Sequence, residues 1–137
     1  MLEKEIQPLP KYKFLKYHLP VILYALLIVS ISSISNLKTP QIRFLAFDKI
    51  AHFFEYGIFA LLAVRSFQNI TDKITKNGAF LMTSLFIFIF ATFDEYFVQR
   101  LSHRNSSVYD LIADAIGAHL LLLVVWIVQK PKKELKA

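Results

Sequence analysis

The chain has 137 residues, of which 55% are hydrophobic and 19% are charged, and its formal net charge is +6. This length suits a single domain over residues 1–137, and the lack of cysteine excludes disulfide scaffolds and thiol nucleophiles. Lysine and arginine flank long apolar blocks instead of following one helix face, which disfavours nucleic-acid binding and favours a membrane protein.

The first apolar block covers residues 19–37 and contains no charged residue. A helix of this length can cross the hydrocarbon core of a bilayer. The lysines before it and the small residues at 32–35 would also fit a cleaved signal peptide. The block is longer than the usual apolar region of such a peptide, which favours a retained transmembrane helix.

Three further blocks, at residues 48–67, 78–97 and 108–128, predict three more spans. The block at 78–97 is rich in Phe and Ile, but an isolated strand cannot satisfy its backbone in lipid. Asn77 and Gly78 predict a turn before it. The sequence therefore predicts an all-α integral membrane bundle of four transmembrane helices.

Basic residues are distributed unevenly between the two sides of such a bundle. Both termini and the middle loop share one side, which holds eleven lysine and arginine residues, whereas the other side holds five. The positive-inside rule places the N-terminus, the C-terminus and residues 68–77 in the cytoplasm. We therefore expect a multi-pass protein of the cell inner (plasma) membrane.

The acidic residues follow the opposite distribution. Six of the ten belong to the outward ends of helices two, three and four: Asp48, Glu55, Asp94, Glu95, Asp110 and Asp114. His52, Gln99 and Arg104 belong to the same side. We predict that these nine residues form an outward-facing polar site that binds a ligand.

On helix two, Asp48, His52 and Glu55 follow i, i+4, i+7 spacing and share one face. If Asp48 marks the outer interface, Glu55 lies about 10 Å deeper. A carboxylate at that depth is costly unless it is protonated, paired or faces a wet cavity.

On helix four, Asp110, Asp114 and Gly117 share a face at the same spacing. The small residues Ala113 and Ala118 lie beside this face and permit close helix approach. We therefore expect this face to contact helix two or helix three.

Two readings of these charges remain open. Asp48 and Asp110 stand where N-terminal helix caps are expected, so each could be only a cap. Glu55 and Asp114 lie further inside, which favours a functional polar cavity. His119 falls on the opposite face of helix four from Asp110, so we expect it to pack or to hydrogen-bond between helices.

The chemistry available to the cluster is limited by its residue types. His52 and Glu55 could reach one metal ion, but no defined ligand set surrounds them, so neither a metal nor a cofactor is predicted. Carboxylates beside a histidine can perform acid–base catalysis, and the catalytic candidates are His52, Glu55, Glu95 and Asp114. Whether the chain is an enzyme stays open.

At these residues the sequence resembles the VanZ-like family of small bacterial membrane proteins. The resemblance covers most of the chain and rests on four segments: SSISNLKTP (32–40), DKIAHFFEYGIFALL (48–62), Asp94-Glu95 with Gln99, and HRNSSVYDLIADAIGA (103–118). The family pattern has Gln three residues after Glu, followed by a Pro-Gly-Arg turn. Here Gln99 is four residues after Glu95 and Ser-His precedes Arg104, so the loop between helices three and four is expected to differ in shape.

The resemblance implies a role in the cell envelope, because the family is named for a protein associated with resistance to the glycopeptide teicoplanin. One hypothesis is a site that binds or processes an anionic envelope molecule, such as a lipid-linked phosphate or a cell-wall precursor, besides membrane lipids. The alternative is a structural or accessory membrane protein whose polar cluster holds the helices together or docks a partner. An ion or proton pathway is disfavoured, because helix one and the cytoplasmic halves of the bundle supply no matching polar residues. The oligomeric state is left open.

Overall fold

The computed structural model describes residues 10–34, 45–102 and 107–129, with side chains from Lys11 onward and, in the second segment, from Lys49 onward. Within these ranges the chain is helical and contains no strand. The first helix, α1, comprises Pro10–Lys13, a π-helical segment Phe14–His18, and Leu19–Ser32; α2 is Leu45–Phe67; α3 comprises Lys76–Phe93, a π-helical segment Asp94–Val98, and Gln99–Leu101; α4 is Val108–Val128. All four are long and apolar enough to span a membrane, which confirms the predicted bundle.

Helix α1 begins earlier than its apolar block predicts. It starts at Pro10, not at residue 19, and so includes Lys11, Lys13 and Lys16. Lysine side chains can extend from a membrane helix to the interface, so an uncharged window underestimates the length of the helix. The predicted end at residue 37 lies outside the described residues.

The predicted turn at Asn77-Gly78 is wrong. Helix α3 begins at Lys76, and both residues lie in its first turn. Thr75 caps the helix, since its hydroxyl oxygen accepts a hydrogen bond from the Gly78 N–H at 3.1 Å. The helix also extends to Leu101, four residues beyond the predicted end at 97.

Helix α2 is the centre of the bundle and packs most extensively against α4. At the crossing, Gly117 lies so close to α2 that an added Cβ would stand 2.0 Å from the carbonyl oxygen of Phe53. Gly117 and Ala118 are buried, whereas Ala113 is half-buried. The expectation that Gly117 faces a neighbouring helix is therefore confirmed, and the neighbour is α2.

Aromatic rings join α2 to α3 and α1 in the apolar core. Phe59 packs against Phe90 with ring centroids 4.9 Å apart and against Phe86 at 5.6 Å. Tyr24 of α1 stacks on Phe59 at 6.0 Å. Phe59 is fully buried, so one residue of α2 anchors both neighbours.

Helix α1 is the least enclosed of the four. In its most apolar stretch 6% of the residues are buried, compared with 44% in α2. At one end, His18 Nδ1 lies 2.7 Å from the Ser66 hydroxyl, and Arg65 stacks on Tyr17. At the other end Ser32 contacts α3. Between these ends, α1 buries one narrow face, which includes Ile28, and leaves the rest of its surface exposed.

Candidate functional site

Polar side chains from all four helices meet at one end of the bundle, where α1 and α3 end and α2 and α4 begin. We call this group the polar network; its members are Ser32, Lys49, His52, Asp94, Glu95, Gln99, Ser102, Asp110 and Asp114. All except Lys49 are buried. The network therefore places ionisable groups inside a bundle whose outer surface is apolar.

Two contacts join α2 to α4. His52 Nδ1 lies 2.9 Å from Asp114 Oδ1, and both side chains are almost fully buried. One turn nearer the end of the bundle, the Lys49 ammonium pairs with Asp110, and the Lys49 side chain remains 30% exposed. The pairs thus differ: His52–Asp114 is enclosed, whereas Lys49–Asp110 lies at the rim.

The π-helical segment of α3 supplies the two consecutive carboxylates. Asp94 and Glu95 are both buried, although neighbouring residues of a regular helix point about 100° apart. A π-helical turn is wider than an α-helical one, and such segments often occur at functional sites. The Glu95 carboxylate accepts hydrogen bonds from the Gln99 side-chain amide at 2.6 Å and from the Ser107 backbone N–H. The start of α4 is thereby fixed to α3.

Helix α1 enters the network through Ser32. Its hydroxyl donates to Asp94 Oδ2 at 2.8 Å, and its carbonyl oxygen accepts from the Ser102 hydroxyl at 2.7 Å. The expectation that helix one supplies no matching polar residue is therefore wrong. A serine in an apolar run carries no charge signal, and the contact of Ser32 with α3, about two turns beyond Tyr24, was not evident from spacing.

Tyr56 was missed by sequence reasoning. It lies one turn after His52 on α2, is fully buried, and its hydroxyl has no hydrogen-bond partner among the described residues. The carboxyl groups of Asp94, Asp114 and Glu95 act electrostatically on this hydroxyl. Its i+4 spacing from His52 was the available signal, but a tyrosine in an apolar helix is usually read as core.

Glu55 lies at the margin of the network. Its side chain is half-buried, and it interacts electrostatically with Tyr24 of α1 as well as with Tyr56 and Asp114.

The prediction that Asp48 and Asp110 are N-terminal helix caps does not fit the structure. Asp48 is the fourth residue of α2, and Asp110 lies inside the first turn of α4, where it pairs with Lys49.

Two predicted site residues cannot be placed. The side chain of Asp48 and all of residues 103–106, including Arg104, lie outside the described residues. The remaining seven are placed at one end of the bundle, six of them within the network. Among the described residues, no group of three or more histidine or acidic side chains is arranged to hold a metal ion.

His119 lies apart from the network and is exposed on the outside of α4. Its Nδ1 donates to the Ala115 carbonyl oxygen at 2.8 Å, so Nε2 is the acceptor and the Ser84 hydroxyl of α3 donates to it. The expected inter-helix hydrogen bond is therefore confirmed.

The fold and the buried polar network define a multi-pass membrane protein with ionisable groups inside its helical bundle. The family model described as VanZ/LLP1 matches residues 7–129, nearly the whole chain. The chain belongs to the VanZ-like family. No curated protein and no solved structure matches it.

Proposed function

We propose that this VanZ-like protein resides in the plasma membrane and binds an anionic envelope molecule, such as a lipid-linked phosphate or a cell-wall precursor, at the polar network. The network faces away from the cytoplasm in this proposal, because the excess of lysine and arginine lies at the opposite end of the bundle. The association of the family name with glycopeptide resistance agrees with an envelope role.

The observation that carries the proposal is the buried pair His52–Asp114. Ionisable groups inside a membrane helix are costly, and they usually line substrate or ion pathways. Small and neutral polar residues suffice to hold membrane helices together. A histidine and a carboxylate at 2.9 Å therefore favour a binding or proton-transfer role over simple helix association.

An anionic ligand needs cationic partners, and the proposal assigns this role to Lys49 of the network and to Arg104. Lys49 is partly exposed at the rim, so its ammonium can exchange its contact with Asp110 for a ligand phosphate. Arg104 lies outside the described residues and precedes Ser107 by three positions in the sequence. The proposal assigns Arg104 the second cationic contact to the ligand, and the Arg104 variants described below test it. Its guanidinium would bind a phosphate in bidentate fashion.

The pairing of His52 with Asp114 also limits the chemistry. A carboxylate on Nδ1 fixes the orientation of the imidazole ring. Such a pair can hydrogen-bond a phosphate oxygen or transfer a proton to or from a bound hydroxyl. Tyr56 lies one turn deeper and supplies a further hydroxyl for hydrogen bonding.

The second candidate function is structural, and one observation favours it. Hydrogen bonds of the network connect α1 to α3 through Ser32 and Asp94, α2 to α4 through His52 and Asp114, and α3 to α4 through Glu95. An interlocked set of this kind can stabilise one packing arrangement without binding anything.

Lipid analysis of purified variants separates the two functions. The wild type, Asp114→Asn and His119→Ala are extracted in mild detergent, and the bound lipids are identified by mass spectrometry. Asp114→Asn keeps the shape of the side chain but removes the carboxylate that orients the His52 imidazole, so we expect it to lose the anionic lipid with little change in the unfolding midpoint. His119→Ala removes a polar group outside the network and should retain the lipid. If Asp114→Asn keeps the lipid but unfolds more easily, the structural role is correct and the binding proposal is wrong.

A further inference from the structure

An apolar groove opens sideways between α1 and α3. Its lower part, which is the part further from the polar network, has a volume of about 230 Å³. It is lined by Ala25 and Val29 of α1 and by Phe86 and Phe90 of α3, among other apolar residues. Its upper part, of about 420 Å³, shares Val29 with the lower part. The two parts adjoin at Val29 and follow one another along both helices.

The groove ends at the polar network. Its upper part is lined by Ser33 and Ser102 together with Phe93, Phe97 and other apolar residues. The Ser102 hydroxyl donates to the carbonyl oxygen of Ser32, whose own hydroxyl reaches Asp94. An amphiphile in the groove would thus have its chain among aromatic and aliphatic groups and its polar part beside hydroxyl groups.

The length of the groove matches a single lipid leaflet. Its lining residues on α1 run from Val21 to Ser33, which corresponds to about 18 Å at helical rise. Half of a typical hydrocarbon core is about 15 Å. The groove is open because α1 packs on α2 and reaches α3 mainly at the π-helical segment. Its open side lies in the membrane-spanning part of the chain, where lipid chains surround the protein.

We propose that this groove binds the hydrocarbon chain of the envelope amphiphile, which enters sideways from the bilayer and presents its headgroup to the polar network. The inference rests on the proposed function and specifies its ligand class as a phosphate that carries one long chain. The groove supplies the chain affinity, and the polar network supplies the headgroup affinity.

The test uses phosphatidylcholine nanodiscs and two probes, hexadecyl phosphate and butyl phosphate. Ala25→Trp fills the groove, whereas Ser30→Trp places the same bulk on an exposed part of α1 that does not line it. Ala25→Trp should weaken hexadecyl phosphate binding by about tenfold, equivalent to about 1.4 kcal/mol, and leave butyl phosphate binding unchanged. Ser30→Trp should change neither, and Asp114→Asn should weaken both.

The outcomes distinguish failure of the groove from failure of the polar site. Suppose that Ala25→Trp binds hexadecyl phosphate as tightly as Ser30→Trp, whereas Asp114→Asn no longer binds it. The hydrocarbon chain then does not lie in the groove, and the proposed binding of the phosphate at the polar network is retained. If neither probe binds the wild type, the proposed function is wrong for this ligand class. The groove is then tested by photolabelling with a phosphatidylcholine that carries a photoreactive diazirine in its acyl chain. Labelling concentrated on α1 and α3 and lost in Ala25→Trp supports a chain site, and even labelling of all four helices overturns it.

Discussion

The close crossing of α2 and α4 predicts an unusual sensitivity at Gly117. In Gly117→Ala, the new Cβ would stand 2.0 Å from the carbonyl oxygen of Phe53 and 2.7 Å from its carbonyl carbon. Because an ordinary C···O contact is about 3.3 Å, the two helices must separate locally by about 1.3 Å. The obstructing atoms are backbone, which cannot rotate away. We therefore expect a loss of stability near the upper end of overpacking costs, about 3 kcal/mol.

Gly57→Ala is the matched control at the same interface. Its Cβ would lie 2.7 Å from Cδ1 of Leu121, the far end of a side chain that can change rotamer. Both substitutions gain the same helix propensity from alanine, so that contribution cancels in the comparison. We expect Gly117→Ala to be about 2 kcal/mol less stable than Gly57→Ala, since only the former moves backbone.

Denaturant unfolding in dodecyl maltoside, followed by far-UV circular dichroism, measures this difference. The separation should also stretch the 2.9 Å contact between His52 and Asp114, because His52 precedes Phe53 and Asp114 lies one turn before Gly117. Gly117→Ala should therefore also bind the phosphate probes more weakly. Equal unfolding midpoints for the two alanine variants would refute backbone-to-backbone packing at this crossing.

Three further predictions concern the ends of the bundle. Ser32→Ala removes one hydrogen bond from the buried carboxylate of Asp94 and should destabilise the bundle by about 1–3 kcal/mol in the same unfolding assay. An unchanged midpoint would mean that this bond does not hold α1 on α3. Arg104→Ala should weaken binding of hexadecyl phosphate more than substitution of the exposed Arg100 by alanine. Arg104→Lys should bind more weakly than the wild type but better than Arg104→Ala, because an ammonium lacks the planar fork of a guanidinium. Equal losses in the two alanine variants would indicate only a general need for positive charge. A reporter fused after Ala137 should be active on the cytoplasmic side, and a signal from the opposite side would overturn the orientation of the site.

The helical bundle was predictable because the bilayer imposes it. Runs of about 20 apolar residues have few alternatives to a transmembrane helix. Helical periodicity also predicted that Asp114 and Gly117 share a face, and the structure places that face against α2. The convergence of carboxylates from α3 and α4 followed from the same topology.

The details of the network could not be read from periodicity. Asp94 and Glu95 lie in a π-helical segment of α3, which regular helical periodicity does not predict. Gln99 stands one residue further from Glu95 than in the family pattern, and at i, i+4 spacing the two side chains still form a hydrogen bond. Ser32 and Tyr56 were missed because neither a serine nor a tyrosine stands out within an apolar run.

The order of the polar network along the chain has a consequence for membrane insertion during synthesis. Lys49 and His52 precede their partners Asp110 and Asp114 by 61 and 62 residues. At about 5–20 residues per second, a ribosome makes these partners roughly 3–12 s after α2. Until then, α2 carries groups that are costly to place in lipid, and their partners on α4 have not yet been made. We therefore expect α2 to remain beside the insertion channel until α4 emerges, so that the two helices enter the bilayer as a pair.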